Sequence, residues 1–250
     1  MLKAKTFKEY QNIQIDNIDL LLEIHHEWRM SARVSLTKNK AIIRIPIMSP
    51  SFEKTKHILW AKEWIYKRLT KDHLYRAKYL PKVYETGSQL TVRNSLFTLD
   101  VKENIERKSA TGRRRGYVIY LELPANITVE QRQKMCSSLI SNIMSKTYIE
   151  GLRNRVHELN KQFFNKEINQ IRLRNNHSNW GSCSTNKNIS ISSRLLLAPN
   201  FVLDYIIIHE LAHLVHHNHS AKFWAEVEKA MPNYLESEKW LKDHGESCQW

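Results

Sequence analysis

Two histidines four residues apart with a glutamate after the first, His209-Glu210-Leu211-Ala212-His213, constrain this chain more than any other stretch. They lie in an apolar run from Phe201 to Val215 that contains neither Gly nor Pro, which predicts a buried helix. On that helix His209 and His213 share a face one turn apart, so both imidazoles can reach a point about 2 Å from each nitrogen. A catalytic zinc site also needs a third protein ligand and an open position for water. His216 shares the face, yet ligands at i, i+4 and i+7 are strung along about 10 Å of straight helix and cannot surround one ion. His219 is better placed. Asn218 readily takes the left-handed conformation that ends a helix, and Ser220 can cap a following helix that begins at Ala221. Glu226 and Glu228 on that following helix compete for the role, but the tight turn and short tether favour His219.

Glu210 lies about 100° around the helix from His209, so its carboxylate can point into the space beside the ion without binding it. A metal-bound water has its pKa lowered towards roughly 7, and a neighbouring carboxylate can take its proton as it attacks a carbonyl. The pattern therefore predicts Zn2+ held by His209, His213 and His219, with Glu210 as general base for a metal-bound water. His177, Tyr205, His216 and His217 are the candidates for a group that stabilises the transition state. Ser182 and Cys183 sit outside any nucleophile-elbow pattern, and Cys183 reads as a small buried hydrophobe.

The rest of the chain frames that site. Its 250 residues suffice for one large or two modest domains. Three cysteines, Cys136, Cys183 and Cys248, make neither an even set nor a CxxC pair, which argues against a disulfide framework and for a reducing compartment. The start lacks an apolar signal core and no stretch reaches 18 apolar residues, so the expectation is a soluble, cytoplasmic protein with no membrane partner. Lys and Arg number 39 against 25 Asp and Glu, a formal charge of +14. Such an excess favours polyanions, nucleic acid among them, although solvated Lys faces give the same balance.

Residues 11 to 48 alternate in short segments that predict strands of an antiparallel sheet, with a hairpin turn at Thr37-Lys38-Asn39-Lys40. Pro50 and Ser51 open a helix whose apolar stripe is Ile58, Ala61, Trp64, Ile65 and Leu69, with Trp60 and Trp64 as packing anchors. Strands return from Leu90 to Glu122, the last two joined by a charged loop containing Thr111-Gly112-Arg113-Arg114-Arg115-Gly116. Pro124 marks a boundary, and Thr128 with Gln131 forms a capping box for a helix of about 50 Å that runs to Phe163 and bends near Gly151. A strand at Ile171-Arg172-Leu173 and a hairpin through Gly181 to Ser193 precede the metal helix. Its edge strand is placed to hold an extended peptide, with Gly181 permitting close approach. The expected domains are a β-rich region with one helix at 1–125 and a catalytic domain at 126–250.

With these residues laid out, the chain resembles the YgjP-like metallopeptidase domain family and, more distantly, the SprT-like zinc proteases. The resemblance rests on Trp180-Gly181-Ser182-Cys183-Ser184, on Leu195 to Pro199 leading into Tyr205, on His209-Glu210-Leu211-Ala212-His213, and on Asn218-His219-Ser220 with Phe223-Trp224. It implies an α+β fold in which a β-rich N-terminal region packs on a zincin-like helical lobe with a small antiparallel sheet. It places His209, His213 and His219 at ligand positions and Glu210 at the base position in the hydrolysis of a peptide or protein substrate. Because some members carry a nucleotide pyrophosphatase label, hydrolysis of a nucleoside triphosphate such as UTP is the alternative. A zinc-stabilised nucleic-acid-binding module is a further one. The Arg-rich segment around Thr111 to Gly116 is longer than the resemblance leads one to expect.

Overall fold

The computed structural model describes residues 5–16, 18–37, 40–71, 76, 82–176 and 178–250. Two compact units divide at Pro81 and Lys82. The first is a four-stranded sheet with one helix. Strands β1 (Phe7–Ile15), β2 (Ile18–Glu27), β3 (Arg33–Thr37) and β4 (Lys40–Pro46) lie in the order β1-β2-β4-β3. Alternate residues Ile18, Leu20, Leu22 and Ile24 of β2, with Ala41, Ile43 and Ile45 of β4, are buried with Ala61, Ile65 and Leu69 of helix α1 (Ser51–Lys71). A period of two on the sheet thus meets a period of four on the helix, which is how each element covers one apolar face. The sheet is mixed rather than antiparallel, because β4 inserts between β2 and β3 and runs parallel to β2. Trp60 and Trp64 are not anchors: they are 46% and 37% exposed on the side of α1 away from its buried stripe. The central residues of the expected hairpin turn, Lys38 and Asn39, lie outside the described residues, though β3 and β4 pair antiparallel on either side of them.

The second unit contains everything that builds the site. Its first sheet, β5 (Gln89–Val92), β6 (Ser95–Asn104), β7 (Thr111–Arg115) and β8 (Val118–Pro124), has the order β5-β6-β8-β7. The topology of the first unit is repeated strand for strand. In both sheets the central pair is parallel and ends on a proline, Glu27 opposite Pro46 and Asn104 opposite Pro124. In both, the following helix begins five residues after that proline, at Ser51 and at Val129. Helix α2 (Val129–Leu159) carries the expected capping box, Thr128 and Gln131 each bonding the other's backbone N–H. It passes into a wider π-turn at Asn160–Phe164 and stops at Asn165, whose φ of 50° is left-handed.

The expected boundary at 125/126 is therefore not where the packing divides. Phe97, Leu99, Ile119, Leu121 and Leu123 of the sheet share one apolar cluster with Cys136, Ile140 and Met144 of α2, so strands and helix bury each other. The Arg-rich segment is also not a loop. Arg113, Arg114 and Arg115 stand on β7, an outer strand that lies against α2, where charged side chains protect an open edge from pairing. Gly112 is needed there, since a Cβ would sit 2.9 Å from Leu121 and 3.0 Å from Ile143. Arg114 donates to Thr147 Oγ1 (3.2 Å) and to the Gly116 carbonyl (2.7 Å), and the Arg113 guanidinium lies over Tyr120.

A third sheet, β9 (Gln170–Arg174), β10 (Gly181–Cys183) and β11 (Asn188–Ser192), has the order β10-β11-β9, with β11 parallel to β9 and antiparallel to β10. It too is mixed, not antiparallel. A 3-10 turn at Ser193–Leu197 leads into α3 (Asn200–Ala212), followed by α4 (Ala221–Ala230) and α5 (Tyr234–His244). Among the described residues no helix is long and apolar enough to cross a membrane. Because each unit has its own apolar cluster, a fragment of residues 82–250 is expected to unfold in one cooperative transition with the near-UV circular dichroism of a packed core. A molten spectrum would show that the second cluster needs the first unit.

Candidate metal centre

Helix α3 is where the apolar run and the two histidines coincide. Val202, Leu203, Ile206, Ile207, Ile208 and Leu211 are buried almost all round the helix, so His209 and Glu210 are carried into the interior by their neighbours. The helix ends at Ala212, earlier than the apolar run suggests. Its last carbonyls are taken by a tightening turn, with Leu214 N–H on Leu211, Val215 N–H on Ala212, and His216 N–H also on Ala212. Asn218 is not left-handed, and Ser220 is extended at the start of α4 but makes no side-chain cap bond. The reversal comes instead from that turn.

The reversal returns His219 to the other two histidines. One nitrogen from each of His209, His213 and His219 lies within 4.8 Å of the others, and this is the one such donor cluster among the described residues. His209 Nε2 and His219 Nε2 are 3.1 Å apart, close to the ~3.3 Å edge of a tetrahedron of imidazole nitrogens around zinc. His213 Nδ1–H donates to the His216 carbonyl at 3.2 Å, which fixes the tautomer and leaves Nε2 with its lone pair. Burial, with the neighbouring imidazoles His213 and His219 adding to it, pushes His209 down to about 4. Burial also lowers His213. Three imidazole nitrogens converging in this way suit a divalent cation. Phe223 and Trp224 of α4 pack their rings against the imidazoles and hold them in place. Glu226 and Glu228 do not join the cluster.

Glu210 is 4% exposed, and its Oε2 has no hydrogen-bond partner among the described residues. Burial raises its carboxyl to about 8. It is not tied into a salt bridge. The reason it fits is Gly181 on β10: a Cβ there would lie 2.7 Å from Glu210 Cγ and 2.8 Å from Cδ. The expected use of Gly181, close approach of a peptide, thus has a companion that sequence did not suggest, close approach of this carboxylate. Trp180 beside it is wedged between the Arg194 guanidinium, 4.0 Å from its ring centre, and Gly245, where a Cβ would meet its ring at 2.7 Å.

His209 and Glu210 open onto a cleft of about 570 Å³ walled by Asn179, Trp180 and Gly181 on one side and Glu238, Leu241 and Lys242 of α5 on the other. Of the candidates for an assisting group, Tyr205 faces this cleft with its hydroxyl donating to Glu238 Oε1 at 2.8 Å. His216 contributes its carbonyl, and His217 is exposed in the turn. His177 lies outside the described residues. Cys183 is half-buried, and burial together with the Glu210 carboxylate raises its thiol to about 11, so it is no nucleophile. Glu238 and Lys242 were missed by sequence reasoning, since nothing local marks them.

Three imidazoles thus converge on one point with a buried carboxylate beside them. The chain belongs to the YgjP-like family: the family model of the YgjP-like metallopeptidase domain matches residues 30–244. Among solved structures, the metallopeptidase zymogen abylysin of Pyrococcus abyssi is similar at 24% identity and a TM-score of 0.34, over 37% of this chain and 93% of that one. The zymogen jannalysin of Methanocaldococcus jannaschii is similar at 24% identity and a TM-score of 0.33, over 37% and 94%. No curated protein matches the chain in sequence.

The burial of Glu210 gives a test that needs no substrate. Its pKa is raised from 4.5 to about 8 on folding, so the metal-free fold loses stability as pH rises from about 4.5 to about 8. Glu210→Gln removes that loss. In the presence of chelator the variant should melt higher than wild type by on the order of a few degrees at pH 9, with a smaller gap at pH 5. A gap that is equal at both pH values would show that the carboxylate is not buried without a partner.

Proposed function

We propose that the second unit is a zinc-dependent peptidase in which His209, His213 and His219 hold the ion and Glu210 is the general base. The observation that carries this reading is the convergence of the three imidazoles within 4.8 Å beside a buried carboxylate that has no ion pair among the described residues. Zinc bound there supplies Lewis acidity, polarising the scissile carbonyl and making water a better nucleophile near neutral pH. Glu210 is on the cleft wall, with Oε2 free to accept the proton of the attacking water and then to return it to the leaving amine. A carboxyl whose proton affinity is raised by burial is suited to both halves of that exchange.

A peptide substrate is supported by the family and by the edge of the third sheet. Strand β10 is the outer strand of that sheet among the described residues, and Trp180 and Gly181 line the cleft. An extended chain laid along β10 would satisfy backbone groups on both sides and bring a carbonyl towards the histidines. The zincin-like arrangement of lobes and the metal's identity are part of the same proposal. Nucleotide hydrolysis has no comparable feature, since the residues lining the cleft offer one lysine and no arginine for phosphates.

Zinc-loaded protein should cleave an unfolded polypeptide and leave UTP intact when the two are assayed side by side. Glu210→Gln should retain one zinc per chain by metal analysis while turnover falls by about 10³-fold or more. His219→Ala should lose zinc. Turnover of UTP that depends on Glu210, without peptide cleavage, would overturn the assignment of substrate, and an unchanged zinc content in His219→Ala would overturn the ligand set. Gly181→Ala should keep its zinc and lose most activity, because the new methyl must displace the Glu210 side chain.

A further inference from the structure

We infer that Glu238 is a specificity-determining residue that receives a cationic group of the peptide substrate, an ammonium or guanidinium, next to the scissile bond. This rests on the peptidase reading and names the substrate class of the same cleft.

The chain carries a formal charge of +14, and some carboxylates of the second unit are held by arginine, as Asp204 by Arg155 at 2.8 Å and Glu122 by Arg107 at 2.7 Å. Glu238 has no such cation among the described residues. Its one hydrogen bond comes from the neutral Tyr205 hydroxyl, at 2.8 Å to Oε1. Lys242 stands one turn further along α5, lines the same cleft and is exposed, yet makes no ion pair with Glu238. The cleft therefore presents a half-buried carboxylate with Oε2 unpaired.

The Tyr205 bond positions that charge. Tyr205 lies one turn before His209 on α3 and is buried, with its ring edge-on to the His209 imidazole at 6.0 Å. A carboxylate oxygen only accepts, so in this contact the Tyr205 hydroxyl donates. A donor fixed on the metal helix thus anchors Glu238 at a set place relative to His209 and Glu210. The apolar faces of Trp180 and Leu241, which line the same cleft, suit the methylene stem of a lysine or arginine, with the charge meeting Glu238 at the end. The amino terminus of a peptide offers the same charge without the stem.

The test uses the zinc-loaded full chain and matched fluorogenic peptides that differ at the residues flanking one scissile bond. Lysine or arginine is compared with norleucine and with glutamate, and each peptide is made with a free and with an acetylated amino terminus. Wild type should favour a cationic peptide by about ten- to a hundredfold in kcat/KM, mostly through KM. A preference that survives acetylation assigns the side chain, and one that acetylation removes assigns the terminus. Glu238→Gln, which can still accept from Tyr205, should lose the preference, its kcat/KM for the cationic peptide falling to about that for the norleucine peptide. Glu238→Lys should turn the preference towards glutamate. Equal rates on all peptides, or a cationic preference that persists in Glu238→Gln, would overturn the assignment. The failure of the peptidase reading is seen separately by titrating the same peptides into zinc-loaded Glu210→Gln with and without Glu238→Gln. Tighter binding of the cationic peptide that depends on Glu238 supports the subsite even if wild type cleaves nothing, and equal binding counts against it.

Discussion

The contact between the Gly181 backbone and the Glu210 side chain is the constraint on which the site depends. It joins an outer strand of a small sheet to the most buried helix of the second unit with only the Glu210 side chain between them. Two consequences follow from that one approach. The carboxylate loses its water and gains no ion pair, so its charge is costly and its proton affinity rises. At the same time the strand edge and the carboxylate come to line a single cleft. A larger residue at 181 would have to displace the carboxylate, and so the glycine is explained by space and not by a special backbone angle.

The histidine cluster places the opposite demand on the fold. Three imidazoles that converge as neutral groups gain little from one another, and the aromatic rings of Phe223 and Trp224 that press on them leave few alternative rotamers. On the proposed reading, stability is spent on holding donors and a base ready for a cation, in the way that functional sites commonly do. The Nδ1 bond from His213 to the His216 carbonyl is a cheap part of that arrangement, because the turn that ends α3 supplies the acceptor at no cost to any other element.

Much of this chemistry was legible in sequence because it is local. His209, Glu210 and His213 are set by helical period alone, and His219 needs only a reversal within six residues, whatever its form. The form itself was misread: Leu214 and Val215 continue the apolar pattern, but they remain partly buried through a turn whose hydrogen bonds close over three residues instead of four. What sequence could not give is whatever depends on packing between distant segments. Glu238 and Lys242 are ordinary surface residues until α5 lies against the cleft. Parallel pairing in all three sheets was also invisible, since a strand inserted between two others has the same alternation as one in a simple hairpin. Arg113 to Arg115 read as a loop because charge outweighed pattern, whereas on an outer strand charge is what the edge requires.

The repeated sheet-and-helix module shows where the second unit departs from the first. The two copies share strand order, the register of the central pair, the closing proline and the start of the helix, although few side chains are the same. What differs is the helix. Helix α1 has 21 residues and α2 has 31. With the starts aligned, Lys71 corresponds to Ile149, so the added residues include Leu152, Val156 and Leu159, each buried in the large apolar cluster with Ile171 and Leu173 of β9 and Ile206 and Ile207 of α3. Three further turns of helix thus supply the surface on which the third sheet and the metal helix are laid. Extending the helix by about 15 Å and continuing the apolar stripe creates an unsatisfied face, and the elements that cover it are the ones that carry the histidines and the glutamate.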